Sequence, residues 1–284
     1  MSSPDLKSRA QTHHKSQHEA CMNNTGKPSA KIRRVKRKSI NFTLRLCYTL
    51  LMSNFKEVFQ NKHVVLPVIH VETEKQTLIN TQIAHEAGAD GVFLISMRGM
   101  NHRDLLKMHE TVKKEFATWW VGINYLDLPA ITVFENVNKQ VSGVWADNAR
   151  IYEWVEEQIH AEQISQARKE SGWQGLYFGG VAFKYQERVN NVKKAAEIAK
   201  HYVDVVTTSG SQTGSAPDLR KIEIMKEAIG YSPLAIASGI SPENVKSFLK
   251  VGADCFLVAT SLLKPGTEEF DSSRVKKLIE AVRG

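Results

Sequence analysis

Cysteine is scarce in this chain. There are three in 284 residues, with no CxxC pair and no even-numbered pattern that could staple a small secreted fold. Cys21 and Cys47 fall in the N-terminal region and Cys255 inside an apolar run, a usage that suits a reducing compartment. Long apolar runs are missing too. None approaches the roughly 18–20 residues needed to span a bilayer, and the nearest, Phe42 to Met52, is interrupted by Arg45, which argues against a membrane partner. No GxGxxG follows the first strand-like segment, which weakens the case for an open dinucleotide-binding sheet.

Basic charge is also scarcer than the total suggests. The chain carries a formal +8, but residues 1–46 hold eleven Lys/Arg against two Asp/Glu, so the other 238 residues net −1. The basicity belongs to a tail and argues against nucleic acid as a partner of the body. Residues 1–40 are rich in Ser, Lys, Arg, His and Asn without hydrophobic period, and are expected to be disordered. Their cluster Lys31-Ile-Arg-Arg-Val-Lys-Arg-Lys38 reads as a nuclear-localisation or polyanion patch. An organellar presequence and a solvated extension without function are the alternatives. Met52-Ser-Asn-Phe-Lys-Glu-Val-Phe59 would make a natural start just before the first strand. Residues 1–51 are therefore read as an extension or a mis-set start, and 52–284 as the folded domain, cytoplasmic unless the extension directs it elsewhere.

What is present is a repeated alternation. Apolar runs at Val64–Ile69, Gly91–Ile95, Trp119–Ile123, Gly143–Trp145, Leu176–Phe183, Asp204–Thr208, Pro233–Ala237 and Cys255–Ala259 read as strands buried on both faces. Helical patterns separate them: 74–87, 102–116, a short one from 129, a longer irregular-then-helical stretch over 150–171, then 188–201, 217–229, 242–251 and 271–282. Eight β/α units in about 220 residues predict a closed (β/α)₈ TIM barrel with a disordered basic N-terminal extension. Ala87-Gly-Ala-Asp-Gly91 and Val251-Gly-Ala-Asp254 support the repeat, each ending a helix on Gly before a strand.

In such a barrel the chemistry sits at the C-terminal ends of the strands. The last three strands run into small polar loops: Ser209-Gly-Ser-Gln-Thr-Gly-Ser215, Ser238-Gly-Ile-Ser-Pro242 and Thr260-Ser261. Backbone amides and a short helix N-terminus there would meet a phosphate dianion, with Gly239 allowing close approach and Ser238, Thr260 and Ser261 offering hydroxyls. Ser209, Gly210 and Gly214 could line the same pocket. The same residues would also make ordinary tight turns. Four strand ends carry reactive groups. Lys184 could be a base, a Schiff-base former, a second phosphate contact or an exposed charge; Asp147 a general base, a metal ligand or a helix cap; Asn124 and His70 complete the set. His70 and Glu72 form a single HxE pair, too little to assign a metal, while His102 and His109 read as surface residues on a helix face.

The segments Val205-Val-Thr-Thr-Ser-Gly-Ser-Gln-Thr-Gly-Ser-Ala-Pro-Asp-Leu219, Ala237-Ser-Gly-Ile-Ser-Pro-Glu-Asn-Val245, Val258-Ala-Thr-Ser-Leu-Leu-Lys264 and Phe270-Asp-Ser-Ser-Arg-Val275 resemble the BtpA family. These are barrel proteins named for a role in photosystem I biogenesis, with relatives linked to sugar-utilisation clusters. Val121-Gly-Ile-Asn-Tyr-Leu126 and Val181-Ala-Phe-Lys-Tyr185 are similar to its strand-three and strand-five segments, and the resemblance places Lys184 on the family's lysine. The chain departs from the family at Val71-Glu-Thr-Glu-Lys75, where the family is Pro/Gly-rich, and at Ser96-Met-Arg-Gly99, where it has an acidic-Asn ending. Three readings follow. One is an isomerase, lyase or hydrolase acting on a phosphorylated small molecule, a sugar phosphate or nucleotide-derived compound. The second is a non-catalytic assembly factor that keeps the barrel. The third is a barrel holding flavin through the same phosphate loops. The sequence requires no cofactor, and leaves homo-oligomerisation open.

Overall fold

The computed structural model describes residues 55–97 and 99–284. The basic cluster 31–38, Met52, Cys21 and Cys47 lie outside the described residues. Eight parallel strands close into a barrel in sequence order: β1 (Val64–Val71), β2 (Gly91–Ser96), β3 (Trp120–Asn124), β4 (Gly143–Ala146), β5 (Leu176–Gly180), β6 (Val205–Ser209), β7 (Leu234–Ala237) and β8 (Cys255–Val258). The helices between and after them are α1 (Glu74–Glu86), α2 (His102–Glu115), α3 (Ala130–Asn136), α4 (Ile159–Ser171), α5 (Val192–Ala199), α6 (Leu219–Ile229), α7 (Val245–Lys250) and α8 (Ser272–Arg283). Closure is made where β8 returns to β1, with Val64 opposite Cys255 and Pro67 opposite Val258. The expected (β/α)₈ barrel is the observed fold. Among the described residues no helix is long and apolar enough to cross a membrane.

Register is fixed at the foot of the strands by a recurring device. Just before β2, β6 and β8 stand Asp90, Asp204 and Asp254. Their carboxylates accept the amides of Val65, Tyr177 and Leu234 on the preceding strand at 2.7, 2.7 and 2.8 Å. Each also meets a basic side chain from a helix: Arg283 at 2.8 Å, Arg168 at 2.5 Å and Lys226 at 2.7 Å. Before β4 the hydroxyl of Ser142 accepts from Val121 at 3.3 Å in the same position. The Gly-Ala-Asp repeats read from the sequence are these staples: a glycine with φ of 82° or 92° turns the chain, and the Asp locks it. A charged acceptor on a backbone amide is roughly twice as strong as a neutral one.

The barrel interior is aromatic. Trp120 meets Phe93 edge-on with ring centroids 5.0 Å apart, and Phe59 at 5.3 Å. Phe55 and Phe59, on a helical turn before β1, are both buried in this interior cluster. Space for the indole comes from glycine. A Cβ at Gly91, Gly122 or Gly143 would lie 2.8, 2.7 or 2.3 Å from Trp120 ring carbons. Three adjacent strands thus leave out a side chain so that one large one can cross the floor.

As expected, the stretch from 150 is irregular before it turns helical, with α4 beginning at Ile159. Arg150 takes φ 57°, Asn148 accepts the Arg150 amide at 2.8 Å, and the Gln158 amide bonds both the N–H and C=O of Tyr152 at 2.9 and 2.7 Å. Side chains there satisfy the backbone in place of a helical ladder. Two other local expectations are corrected. β5 ends at Gly180 rather than Phe183, because Ala182 adopts φ 47°. His109 is not at the surface: it is fully buried, and neither ring nitrogen has a hydrogen-bond partner among the described residues.

Two predictions follow from this packing. Gly143→Ala forces a methyl into the Trp120 indole and should destabilise the fold by about 1–3 kcal/mol, as overpacked cores do, readable in urea melts. Burial lowers the His109 pKa to about 4 from its ordinary 6.5, so the unfolded chain binds that proton first as pH falls. Stability is held above about pH 6.5 and lost towards pH 4, by on the order of 3 kcal/mol in all. Melts of His109→Leu at pH 7 and pH 4.5 should show that loss flattened.

Candidate functional site

The C-terminal mouth of the barrel opens into a cavity of about 350 Å³. His70, Lys184, Gly214, Ser238, Gly239, Thr260 and Ser261, all named from the sequence, border it. Its base is apolar, with Trp145 and Leu257 among the lining residues, so polar groups act there with limited screening by water.

The Lys184 ammonium donates to the hydroxyls of Thr213 and Ser238, each at 3.2 Å. It therefore faces the loops after β6 and β7. Its own loop is held from behind: the Lys184 amide donates to Ser209 Oγ at 2.7 Å, and Ser209 in turn donates to the Gly210 carbonyl at 2.9 Å. Ser209 and Gly210 do not line the mouth cavity; with Lys184 they border a neighbouring one of about 550 Å³. Below them Lys221, on α6, donates to the carbonyls of Ala182 and Ser209 at 2.6 and 2.8 Å. Burial lowers its pKa to about 8. Lys221 ties the ends of β5 and β6 together, and nothing in the sequence marks it out from other helix lysines.

Two glycines of these loops are also required by the packing of the backbone around them. A Cβ on Gly239 would sit 2.0 Å from the Ala216 amide nitrogen, and one on Gly210 2.0 Å from the Ser215 carbonyl oxygen. Gly210 folds the loop after β6 closely on itself, and Gly239 brings the loop after β7 against it backbone to backbone. Ser238 and Gly239 both take positive φ, 88° and 68°. For serine this is an uncommon conformation, and here it accompanies a hydroxyl set against the Lys184 ammonium. Asn244 closes the turn, accepting from the Ser241 amide at 2.9 Å and donating to the Gly239 carbonyl at 2.7 Å. After β8 a 3₁₀ turn, Thr260–Leu262, begins at the cavity wall; its first amides have no partner within the turn. The Ser261 hydroxyl is already committed to the Ile240 carbonyl at 2.6 Å, which leaves its backbone rather than its side chain to face a ligand.

Asn124 and Asp147 form a second polar group outside the cavity's lining. The buried Asn124 amide donates to the Asp147 carboxylate at 3.0 Å. Burial raises the Asp147 pKa, while the Asn124 hydrogen bond and the charge of Lys184 pull it back. Asp147 therefore lies within electrostatic reach of Lys184. It does not cap the following helix, whose N-cap residue is Gln158. Gln186 fixes this corner, donating to the carbonyls of Asp147 and Gly180 at 2.6 and 3.1 Å.

His70, next to last in β1, is level with Ile95 on β2, itself level with Asn124 on β3. Its Nδ1 lies 2.8 Å from the carboxylate of Glu268, 198 residues away. The HxE spacing pairs His70 with Glu72, whereas the partner here is Glu268, which stands beside the equally acidic Glu269 with no spacing to single it out. Among the described residues no three His, Cys, Asp or Glu side chains converge as metal ligands.

This architecture is a (β/α)₈ barrel with a polar, lysine-bearing C-terminal mouth. Residues 180–284, which include Lys184 and the three loops, match the BtpA family; His70, Asn124 and Asp147 lie outside the matched stretch. The photosystem I biogenesis protein BtpA of Synechocystis sp. is 33% identical over 87 residues, 30% of this chain and 30% of that protein. An uncharacterized protein of Pyrococcus abyssi is 31% identical over 86 residues, 28% of this chain and 32% of its own length. The chain thus matches about a third of the length of these curated relatives. Among solved structures, the Thermoplasma acidophilum (S)-3-O-geranylgeranylglyceryl phosphate synthase in complex with sn-glycerol-1-phosphate has a TM-score of 0.61 at 13% identity, covering 82% of this chain and 98% of that one. At that identity the likeness is one of fold.

Because the folded protein holds the Asp147 proton to higher pH than the unfolded chain, this carboxyl costs stability as pH rises above the ordinary carboxylate range. Asp147→Asn should therefore raise the melting temperature at pH 7 and leave it nearly unchanged at pH 3.

Proposed function

We propose that this barrel is an enzyme acting on a phosphorylated small molecule, bound at the C-terminal mouth with its phosphate against the loops after β6, β7 and β8. The observation that carries the reading is the placement of Lys184. Its ammonium is directed at Thr213 and Ser238, in a wall that also holds Gly239 and the head of the 3₁₀ turn. A dianion there would gain a cation, two hydroxyls and backbone amides without moving the loops, which are already interlocked. The fold neighbour crystallised with sn-glycerol-1-phosphate and the family match over these loops are in keeping with it.

On this reading Lys184 is a phosphate contact rather than a base at the reacting carbon. Proton transfer falls to the groups around it. Asp147, whose burial favours its protonated form, would serve as an acid or base from just outside the cavity's lining, with Asn124 holding its orientation. His70 faces the same cavity from β1. The reaction class among isomerase, lyase and hydrolase is set by the ligand's own bonds.

A thermal-shift panel of inorganic phosphate, glycerol phosphate, pentose phosphates and mononucleotides tests this. At least one phosphorylated compound should raise the melting temperature. Lys184→Met should weaken its binding about 10–100-fold, the range of a lost charge-assisted hydrogen bond. A panel with no phosphorylated binder, or binding unchanged in Lys184→Met, would overturn the reading. Gly239 is a poor probe, since any side chain there collides with residues 215–216 whatever the ligand.

A further inference from the structure

The polar side chains buried on α1 point to one place. Gln76 and Asn80 are 8% and 0% exposed, in a helix where apolar residues would serve packing better. The Gln76 side-chain amide donates to the His70 carbonyl at 3.1 Å and to the Glu268 carbonyl at 2.8 Å. The Asn80 amide donates to the same Glu268 carbonyl at 2.8 Å, and its oxygen accepts the Phe270 amide at 2.8 Å. Two buried amides thus clamp the backbone of residue 268 and tie it to that of residue 70. Burying such groups is costly unless every hydrogen bond is made, and here they are spent on bringing two residues together.

Those two residues are the ones whose side chains meet, His70 Nδ1 and Glu268 Oε2, at 2.8 Å. Both are partly shielded, with side chains 17% and 20% exposed. The contact fixes the ring. A carboxylate only accepts, so Nδ1 carries the proton. Nε2, which has no protein partner among the described residues, is left with its lone pair on a side chain that borders the mouth cavity.

We propose that Glu268 is a positioning residue that sets His70 as the general base of the mouth, with Gln76 and Asn80 holding the pair in register. This rests on the reading of the cavity as a ligand site. In the step, Nε2 takes a proton from a hydroxyl or an acidified C–H of the phosphorylated ligand. The bonding pair stays on the ligand, and the imidazolium formed is balanced by the Glu268 carboxylate. The arrangement follows the logic by which a carboxylate fixes a histidine's tautomer and stabilises its charged form.

The test reads the tautomer directly, by nitrogen-15 NMR of the histidine side chains in the full chain at pH 8, with His70 assigned by its loss in His70→Asn. The wild type should show His70 as a single Nδ1–H tautomer. Glu268→Gln, whose amide oxygen still accepts, should keep that form, and Glu268→Leu should lose it. The clamp on the 268 backbone is independent of the side chain, so both variants should fold. An Nε2–H tautomer in the wild type, or an unchanged His70 signal in Glu268→Leu, would overturn the proposal. Phosphate-induced thermal shifts on the same samples separate the two readings. Glu268→Leu should keep the wild-type shift. Absence of any phosphate shift in the wild type would count against the cavity reading, while the tautomer result stands alone.

Discussion

The carboxylates at the foot of the barrel are the interaction on which the rest depends. A closed sheet of eight short strands has many near-equivalent registers, and a one-residue slip turns every side chain to the other face. Asp90, Asp204 and Asp254 remove that freedom by taking a backbone amide of the preceding strand and a cation of a helix. Ser142 does the same without charge. Each staple joins an odd strand to the even strand after it, so the barrel is locked as four two-strand units. Once the foot is fixed, the level at which each strand ends follows, and His70 and Asn124 share one level because of it.

Above the foot, volume sets the next constraint. Four aromatic residues, Phe93, Trp120, Trp145 and Phe178, fill an interior that barrels usually fill with branched aliphatics. The absence of side chains at Gly91, Gly122 and Gly143 makes this packable. The β7 and β8 side is narrower in character, with Ala235, Ala237 and Cys255 facing inward. The mouth cavity opens on that side, bordered by Ala237, Ala259 and the loops beyond. Small residues on that side leave the space in which the cavity opens, against Trp145 and Ile95 across the barrel.

Much of this was legible in the sequence for a physical reason. Strands buried on both faces leave continuous apolar runs, and the small polar loops after β6 to β8 stand out against them. Lys184 stood out as a lysine at a strand end, and the cavity includes it. What the sequence concealed depended on side chains satisfying backbone at a distance. The irregular start of the stretch from 150 was legible, but not that the Gln158 amide would satisfy the Tyr152 backbone. Glu268 has no signal because its meaning comes from two amides on α1, 188 and 192 residues away. His109 sits in a helix whose buried face it shares with Leu105 and Val112, and helical spacing alone cannot separate a buried histidine from an exposed one. Gly239 shows the subtlest gap: the need for glycine was readable, but the atoms it approaches were not.

Foot and mouth use charge in opposite ways. At the foot each carboxylate has both an amide and a cation, and the groups serve stability. At the mouth Asp147 has one amide from Asn124 and only the more distant field of Lys184, so burial prevails and favours its neutral form. Lys184 faces hydroxyls, which cannot neutralise it. Among the described residues Lys184 has no carboxylate bonded to it and Asp147 no bonded cation, the reverse of the pairing at the foot. An anion beside Lys184 would satisfy the ammonium and lessen its pull on Asp147, raising that carboxyl's affinity for a proton. On the proposed reading, anion binding and the proton affinity of Asp147 would be coupled through one lysine.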